Sequence, residues 1–148
     1  MRVDFDTDVG AVRSSNQDSC DCGLFSLGSA WAIVCDGMGG ANGGNVASAI
    51  AVETIREQIL AGFNENLSKP NIKNLMVNAI SRANEAVHKA SLEQPELRGM
   101  GTTVVLLIAT KGTLHTAHVG DSRAYLRHQG ELSQITMDHS YVQDLVNF

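Results

Sequence analysis

Asp36 stands directly after the apolar run Trp31-Ala32-Ile33-Val34-Cys35 and opens a stretch, 36–44, with five glycines in nine residues. Asp121 stands in Val119-Gly120-Asp121-Ser122-Arg123, again after a run with strand character, and Asp18 follows Arg13, Asn16 and Gln17. Carboxylates fixed at strand ends are rigid oxygen donors, the type that suits Mg²⁺ or Mn²⁺. A glycine beside such an acid, as Gly37 is beside Asp36, lets a backbone carbonyl turn toward the same ion, because no Cβ blocks the approach. Arg13 can grip a phosphate through two parallel hydrogen bonds. Each group also has a plainer reading. An Asp after a strand is often a turn or cap residue, and an Arg near acids is often a surface ion pair worth about 0–1 kcal/mol. Residue types and spacing leave both readings open.

Periodicity indicates the elements that must position these groups. Val3 and Phe5, alternating with Asp4 and Asp6, predict a half-buried strand. Residues 18–27 read as strand pieces around turns at Gly23 and Gly28, and 31–35 as a buried strand. The glycines of 36–44 predict a loop, since glycine is costly inside a helix or strand. Helical spacing starts at Asn45, with Val46, Ala49, Ile50, Ile55 and Ile59, and stops at Gly62 and Asn64. A clearer helix carries Ile72, Leu75, Met76, Ala79, Ile80, Ala83 and Val87, with Pro70 in its first turn. Residues 102–110 form an apolar strand, and Lys111-Gly112 turns into another at 113–119. Ala124 to Leu126, a turn at Gln129-Gly130 and the return 132–136 make a further hairpin. Tyr141, Val142, Leu145 and Val146 begin a last helix. Strands, two helices and strands again predict an α+β fold with antiparallel sheet, and not a parallel doubly wound one.

Composition narrows the function classes. Of 148 residues, 43% are hydrophobic and 18% charged, as in a soluble globular domain of one core. A net charge of −5 gives no general attraction for nucleic acid or an anionic membrane. The longest apolar stretch, 104–109, is far short of the roughly 20 residues a membrane-spanning helix needs. The acidic, alternating start lacks the pattern of a secretory signal, so a cytoplasmic location is expected. Three cysteines, Cys20, Cys22 and Cys35, cannot all pair within one chain, which agrees with a reducing compartment. Cys20-Asp21-Cys22 has no second pair to complete a zinc site. His115 and His118, three apart on a strand, point to opposite faces. His139 reads as a cap or orienting group for the last helix. The glycine stretch fits no nucleotide fingerprint, because position 42 is Asn42 and no Lys-Ser/Thr pair follows.

Taken in order, Arg13-Ser14-Ser15-Asn16-Gln17-Asp18, Asp36-Gly37-Met38-Gly39-Gly40, Gly99-Met100-Gly101-Thr102-Thr103 and Val119-Gly120-Asp121-Ser122-Arg123-Ala124 resemble the successive motifs of the metal-dependent serine/threonine protein phosphatases. This is the PPM, or type 2C, family, and its bacterial branch is the closer match. Thr136-Met137-Asp138-His139-Ser140 resembles the segment that follows. The resemblance implies an αββα sandwich, two antiparallel sheets flanked by helices. It implies hydrolysis of phosphoserine and phosphothreonine in proteins by a metal-activated water. Two Mg²⁺ or Mn²⁺ ions would be bridged by Asp36, with the Gly37 carbonyl on one of them. Arg13 would hold the phosphate. Asp18 would hydrogen-bond metal-bound water with Gln17 beside it, and Asp121 would help bind a third ion. Some members carry a histidine after the Asp-Gly pair, where Met38 stands here, so the proton donor for the leaving oxygen is unassigned.

The resemblance covers residues 1–148 as the N-terminal portion of a single catalytic domain. Family domains run on for roughly another hundred residues, above the commonest domain sizes, and carry there two further metal-binding aspartates. Asp138 and Asp144 do not match those positions. The expectation is a sandwich short of its C-terminal strands, a second ion held only by Asp36, and little turnover. Exposed sheet edges would favour self-association or a complementing chain. The alternative function is therefore a weak or inactive relative that binds phosphoproteins or a partner without cleaving them.

Overall fold

The computed structural model describes residues 1–139, of which 40–42 are described by backbone alone. Strands β1 (Asp18–Ser26) and β2 (Ser29–Met38) form a hairpin. Helices α1 (Gly40–Gly62) and α2 (Lys69–Glu93) follow, then a short 3-10 turn, Pro95–Leu97. Strands β3 (Gly101–Thr102), β4 (Val104–Thr110) and β5 (Thr113–Val119) rejoin the sheet, and β6 (Tyr125–His128) and β7 (Glu131–Gln134) make a separate hairpin. The main sheet is antiparallel, in the order β1-β2-β4-β5 with β3 extending β4's side of β2. The expected α+β class, with antiparallel sheet and two helices, is what forms.

Alternation decides which side is covered. Trp31, Ile33 and Cys35 of β2 share a face with Val104, Leu106 and Ile108 of β4, and that face meets Ala51, Ile55 and Ile59 of α1. Helix α2 adds Ile72, Met76, Ala79, Ala83 and Val87 at helical spacing. Ser68 caps α2 by accepting a hydrogen bond from the Asn71 N–H, and Pro70 sits in the first turn, where its missing donor costs nothing. The opposite sheet face is only partly covered: Val34 is 47% exposed and Leu114 39%. Lys111 and Gly112 (φ 49° and 70°) close the β4–β5 hairpin as the sequence predicts, and Gln129 and Gly130 (φ 52° and 89°) close β6–β7.

The expected strand at Val3 and Phe5 is absent: residues 1–9 are irregular and Phe5 is 55% exposed. Asp6 and Asp8 explain the loss. Their carboxylates accept hydrogen bonds from the backbone N–H groups of Thr7 (2.8 Å) and Gly10 (2.7 Å), turning the chain locally instead of leaving those donors for a ladder. Residues 18–26 are one strand, not pieces. The expected helix start at 141–146 lies outside the described residues, and so does the helix end that His139 is expected to cap or orient. The His139 ring stacks on His118, with centroids 4.5 Å apart.

The expected loop over 36–44 is also corrected. Strand β2 runs through Met38 and α1 begins at Gly40, so only Gly39 lies between them. Gly39 has φ 127°, and a Cβ there would lie 2.6 Å from the Met100 Cα, so both backbone angle and space demand glycine. Gly37, Gly43 and Gly44 serve close approach instead of loop angles. A Cβ on Gly43 would lie 3.0 Å from the Met100 Cβ, and one on Gly44 would lie 2.7 Å from the Gln17 Oε1. Tertiary packing has overridden helix propensity, which disfavours glycine by only about 1 kcal/mol per residue.

Candidate functional site

Asp18 opens β1 and pairs across the ladder with Asp36, near the end of β2. The two carboxylates therefore share the uncovered face at one end of the sheet. Burial pushes the Asp36 carboxyl above its ordinary pKa, and a hydrogen bond with the Asp18 carboxyl and its negative charge push the same way. Arg13 is near enough for its charge to oppose the rise, and Asp121 near enough to add to it. Arg13 comes from the exposed segment before β1, and Asp121 from the turn after β5. Asp18, Arg13 and Asp121, from separate elements, thus lie within electrostatic reach of Asp36 and with it make one patch. Gln17 joins them by its backbone, its carbonyl accepting the Gly37 N–H at 3.1 Å.

Several groups that the sequence reading missed hold this patch in place. The Asp36 peptide is bound on both sides by Thr103: the Thr103 N–H donates to the Asp36 carbonyl (2.9 Å) and the Asp36 N–H to the Thr103 hydroxyl (3.0 Å). The Thr102 hydroxyl donates to the same Asp36 carbonyl (3.0 Å). The Thr103 and Ser122 hydroxyls are 2.6 Å apart, which ties the turn bearing Asp121 to β4. Gly120, with φ 95°, packs so closely that a Cβ would lie 2.7 Å from the Thr103 Cγ2. Behind the turn, Arg123 forks onto Asp138 at 2.6–3.0 Å and holds that carboxyl below its usual pKa. Asp138 is thereby committed to an ion pair. Only Gly-Thr-Thr and Asp-Ser-Arg as motifs signalled these roles; single hydroxyls give no periodic pattern.

Gly37 is the tightest point. A Cβ there would lie 2.0 Å from the Gly44 carbonyl oxygen and 2.6 Å from that of Gln17. The position accepts only glycine, and this fixes the peptide that follows Asp36 against α1. A cation would fit the patch chemically. It would offset both the burial and the neighbouring negative charge that raise the Asp36 pKa, and Asp36 supplies the hard oxygen that Mg²⁺ and Mn²⁺ prefer. Among the described residues, no three His, Cys, Asp or Glu side chains form a ready-made cage. An ion here would accordingly keep several waters, as Mg²⁺ commonly does.

The other candidates separate from the patch. His115 pairs with Ile108 and His118 with Val105, residues on opposite sheet faces, as expected. Cys20, Cys22 and Cys35 are free thiols, and burial pushes Cys35 up to about 12. A groove of about 650 Å³ lies between α2 and the ends of β2 and β5, lined by Met38, Val87, His88, Met100 and Val119 among others. Among the described residues, no helix is long and apolar enough to cross a membrane.

Comparison with known proteins gives these motifs a context. A family profile described as "Protein phosphatase 2C" matches residues 11–147. The chain is 34% identical over 149 residues to the serine/threonine phosphatase stp of Listeria monocytogenes, covering 99% of this chain and 58% of that one. It superposes on the crystal structure of the serine/threonine phosphatase Stp1 from Staphylococcus aureus with TM-score 0.87 and 33% identity, covering 97% of this chain and 56% of the other. The catalytic domain of the serine/threonine protein phosphatase PstP in complex with two manganese ions gives TM-score 0.77 and 33% identity, over 93% and 56%. This chain spans little more than half the length of each of these relatives.

Proposed function

The chain belongs to the protein phosphatase 2C family, bacterial serine/threonine type, and we propose that it is the N-terminal portion of a domain that hydrolyses phosphoserine and phosphothreonine in proteins with Mg²⁺ or Mn²⁺. One observation carries the reading: Asp18 pairs with Asp36 across the ladder, and Asp121 and Arg13, from separate elements, lie close enough for their charges to act on Asp36. A related catalytic domain that holds two manganese ions supports the choice of metal.

In this reading Asp36 and the Gly37 carbonyl hold a divalent cation. Bound cations supply neutralisation of the phosphate dianion and a water acidic enough to attack phosphorus near neutral pH. Arg13 binds the phosphate from the solvent side, its planar guanidinium matching two phosphate oxygens. Asp18, opposite Asp36 in the ladder, accepts a hydrogen bond from the attacking water and orients it in line with the seryl or threonyl oxygen that leaves. Asp121 adds a third carboxylate at the rim and is the group suited to a further ion. The dense backbone bonding of Asp36 keeps this geometry fixed before substrate arrives, which is where most of the catalytic benefit of such a site lies.

The partly covered sheet face, with Val34 and Leu114 exposed, supports a two-sheet sandwich, and with β1 and β5 at the sheet edges it supports pairing with a further length of polypeptide. Phosphate release from p-nitrophenyl phosphate with Mn²⁺ tests the reading. Release that is abolished by Asp36→Asn supports a hydrolase. Binding of a phosphopeptide without release favours the non-catalytic relative.

A further inference from the structure

We infer that Ser48 is a positioning residue for the acidic patch, acting through the Gln17 carbonyl. The inference rests on Asp36 and Gly37 being cation ligands, as proposed above. Ser48 lies inside α1 and is 0% exposed, yet Ala is the better helix former at such a position. Its hydroxyl must therefore serve something other than the helix. It lies 2.7 Å from the Gln17 carbonyl oxygen, 2.9 Å from the Ser19 hydroxyl and 3.2 Å from the Asn45 carbonyl. A hydroxyl has one proton to give. The shortest contact takes it to Gln17, and the Ser48 oxygen can then accept from Ser19.

The Gln17 carbonyl also accepts the Gly37 N–H at 3.1 Å. One oxygen atom thus joins α1 to the strand end that bears Asp36, and its residue directly precedes Asp18. On the helix side Gly37 has no slack, because any added atom would strike the Gly44 and Gln17 carbonyls. When the Ser48 donor is lost, Gln17 is the group left to move. It carries Asp18 with it and loosens the Gly37 amide. Ser48 touches neither substrate nor ion, but it sets where both acids sit.

Hydrogen exchange at the Gly37 amide, followed by NMR on the whole metal-free chain, decides the matter. Ser48→Ala is expected to speed exchange at Gly37 by about tenfold relative to core amides such as Leu106. Ser19→Ala removes the hydroxyl on the other side of Ser48 and is expected to leave Gly37 protected. Mn²⁺ titration of the same proteins is expected to show about tenfold weaker affinity for Ser48→Ala, as when other groups that orient metal ligands are lost, and unchanged affinity for Ser19→Ala. If the alanine variant does not fold, Ser48→Cys, of similar size but a much weaker donor, gives the same order. Unchanged Gly37 exchange in the Ser48 variant, or an equal rise in Ser19→Ala, overturns the inference. Wild-type Mn²⁺ affinity in the Ser48 variant, with none in Asp36→Asn, overturns it as well. Mn²⁺ binding that survives Asp36→Asn overturns instead the cation reading, and Gly37 exchange still decides the role of Ser48.

Discussion

Leu106 and Asp36 belong to neighbouring strands, and opposite physics holds them. Leu106 pairs with Ile33, faces α1 and is fully buried among apolar side chains. Everything around it lowers the free energy of the fold. Asp36 lies three residues beyond Ile33, where burial and then two further carboxylates raise its pKa and one guanidinium offsets them only in part. The fold assembles that charge with close glycine contacts and paired threonines, at a cost to itself. The difference teaches where to look for function: in the place that the core has to hold together, not in the core.

The largest effect belongs to the core. Leu106→Ala is expected to cost about 2–5 kcal/mol in urea unfolding, with residual Mn²⁺ affinity unchanged while the protein is folded. A loss of cation affinity in the folded variant would break the separation between the two regions. Gly37→Ala comes next, at about 1–3 kcal/mol or more from overpacking, since a Cβ there meets the Gly44 carbonyl. Unlike Leu106→Ala, it is expected to abolish Mn²⁺ binding too.

Asp36→Asn should go the other way. Because the folded state raises the pKa of Asp36, its contribution is fully present below the unfolded carboxylate pKa and is lost as pH rises through the raised folded value. The metal-free variant should therefore melt higher than wild type at pH 7 and close to it at pH 3. A lower Tm at pH 7 would show that Asp36 is an ordinary stabilising turn residue. The smallest effect is expected at Arg82, whose ion pair with Glu85 is exposed on both sides. Arg82→Ala should change stability by less than about 0.5 kcal/mol and leave cation binding alone.

The sequence made the core and the acids legible for different reasons. Helix α2 follows apolar spacing closely because one face of it is wholly buried, and β4 is a continuous apolar run because it lies inside the sheet, with Val104, Leu106 and Ile108 under the helices and Val105 buried on the other face. The acids could be named because they stand at strand ends in recognisable motifs; the ladder pairs Asp18 with Asp36, and the charge of Asp121 reaches Asp36. The glycines of 36–44 misled, since the same residue serves loops and close packing, and only the approach of Gln17 and Met100 distinguishes the two. Val3 and Phe5 misled because alternation says nothing about Asp6 and Asp8 capturing the backbone. Ser48 was invisible, and Thr103 and Ser122 showed only as members of motifs, because a hydroxyl's importance depends on what lies across from it.

Calorimetric titration with Mn²⁺, comparing wild type with Asp36→Asn, asks whether the Asp36 carboxylate holds a divalent cation. Saturable binding is expected for the wild type and is expected to disappear in the variant, with both proteins equally folded by circular dichroism. Equal binding by the two proteins, or none by either, would mean that Asp36 is not a cation ligand.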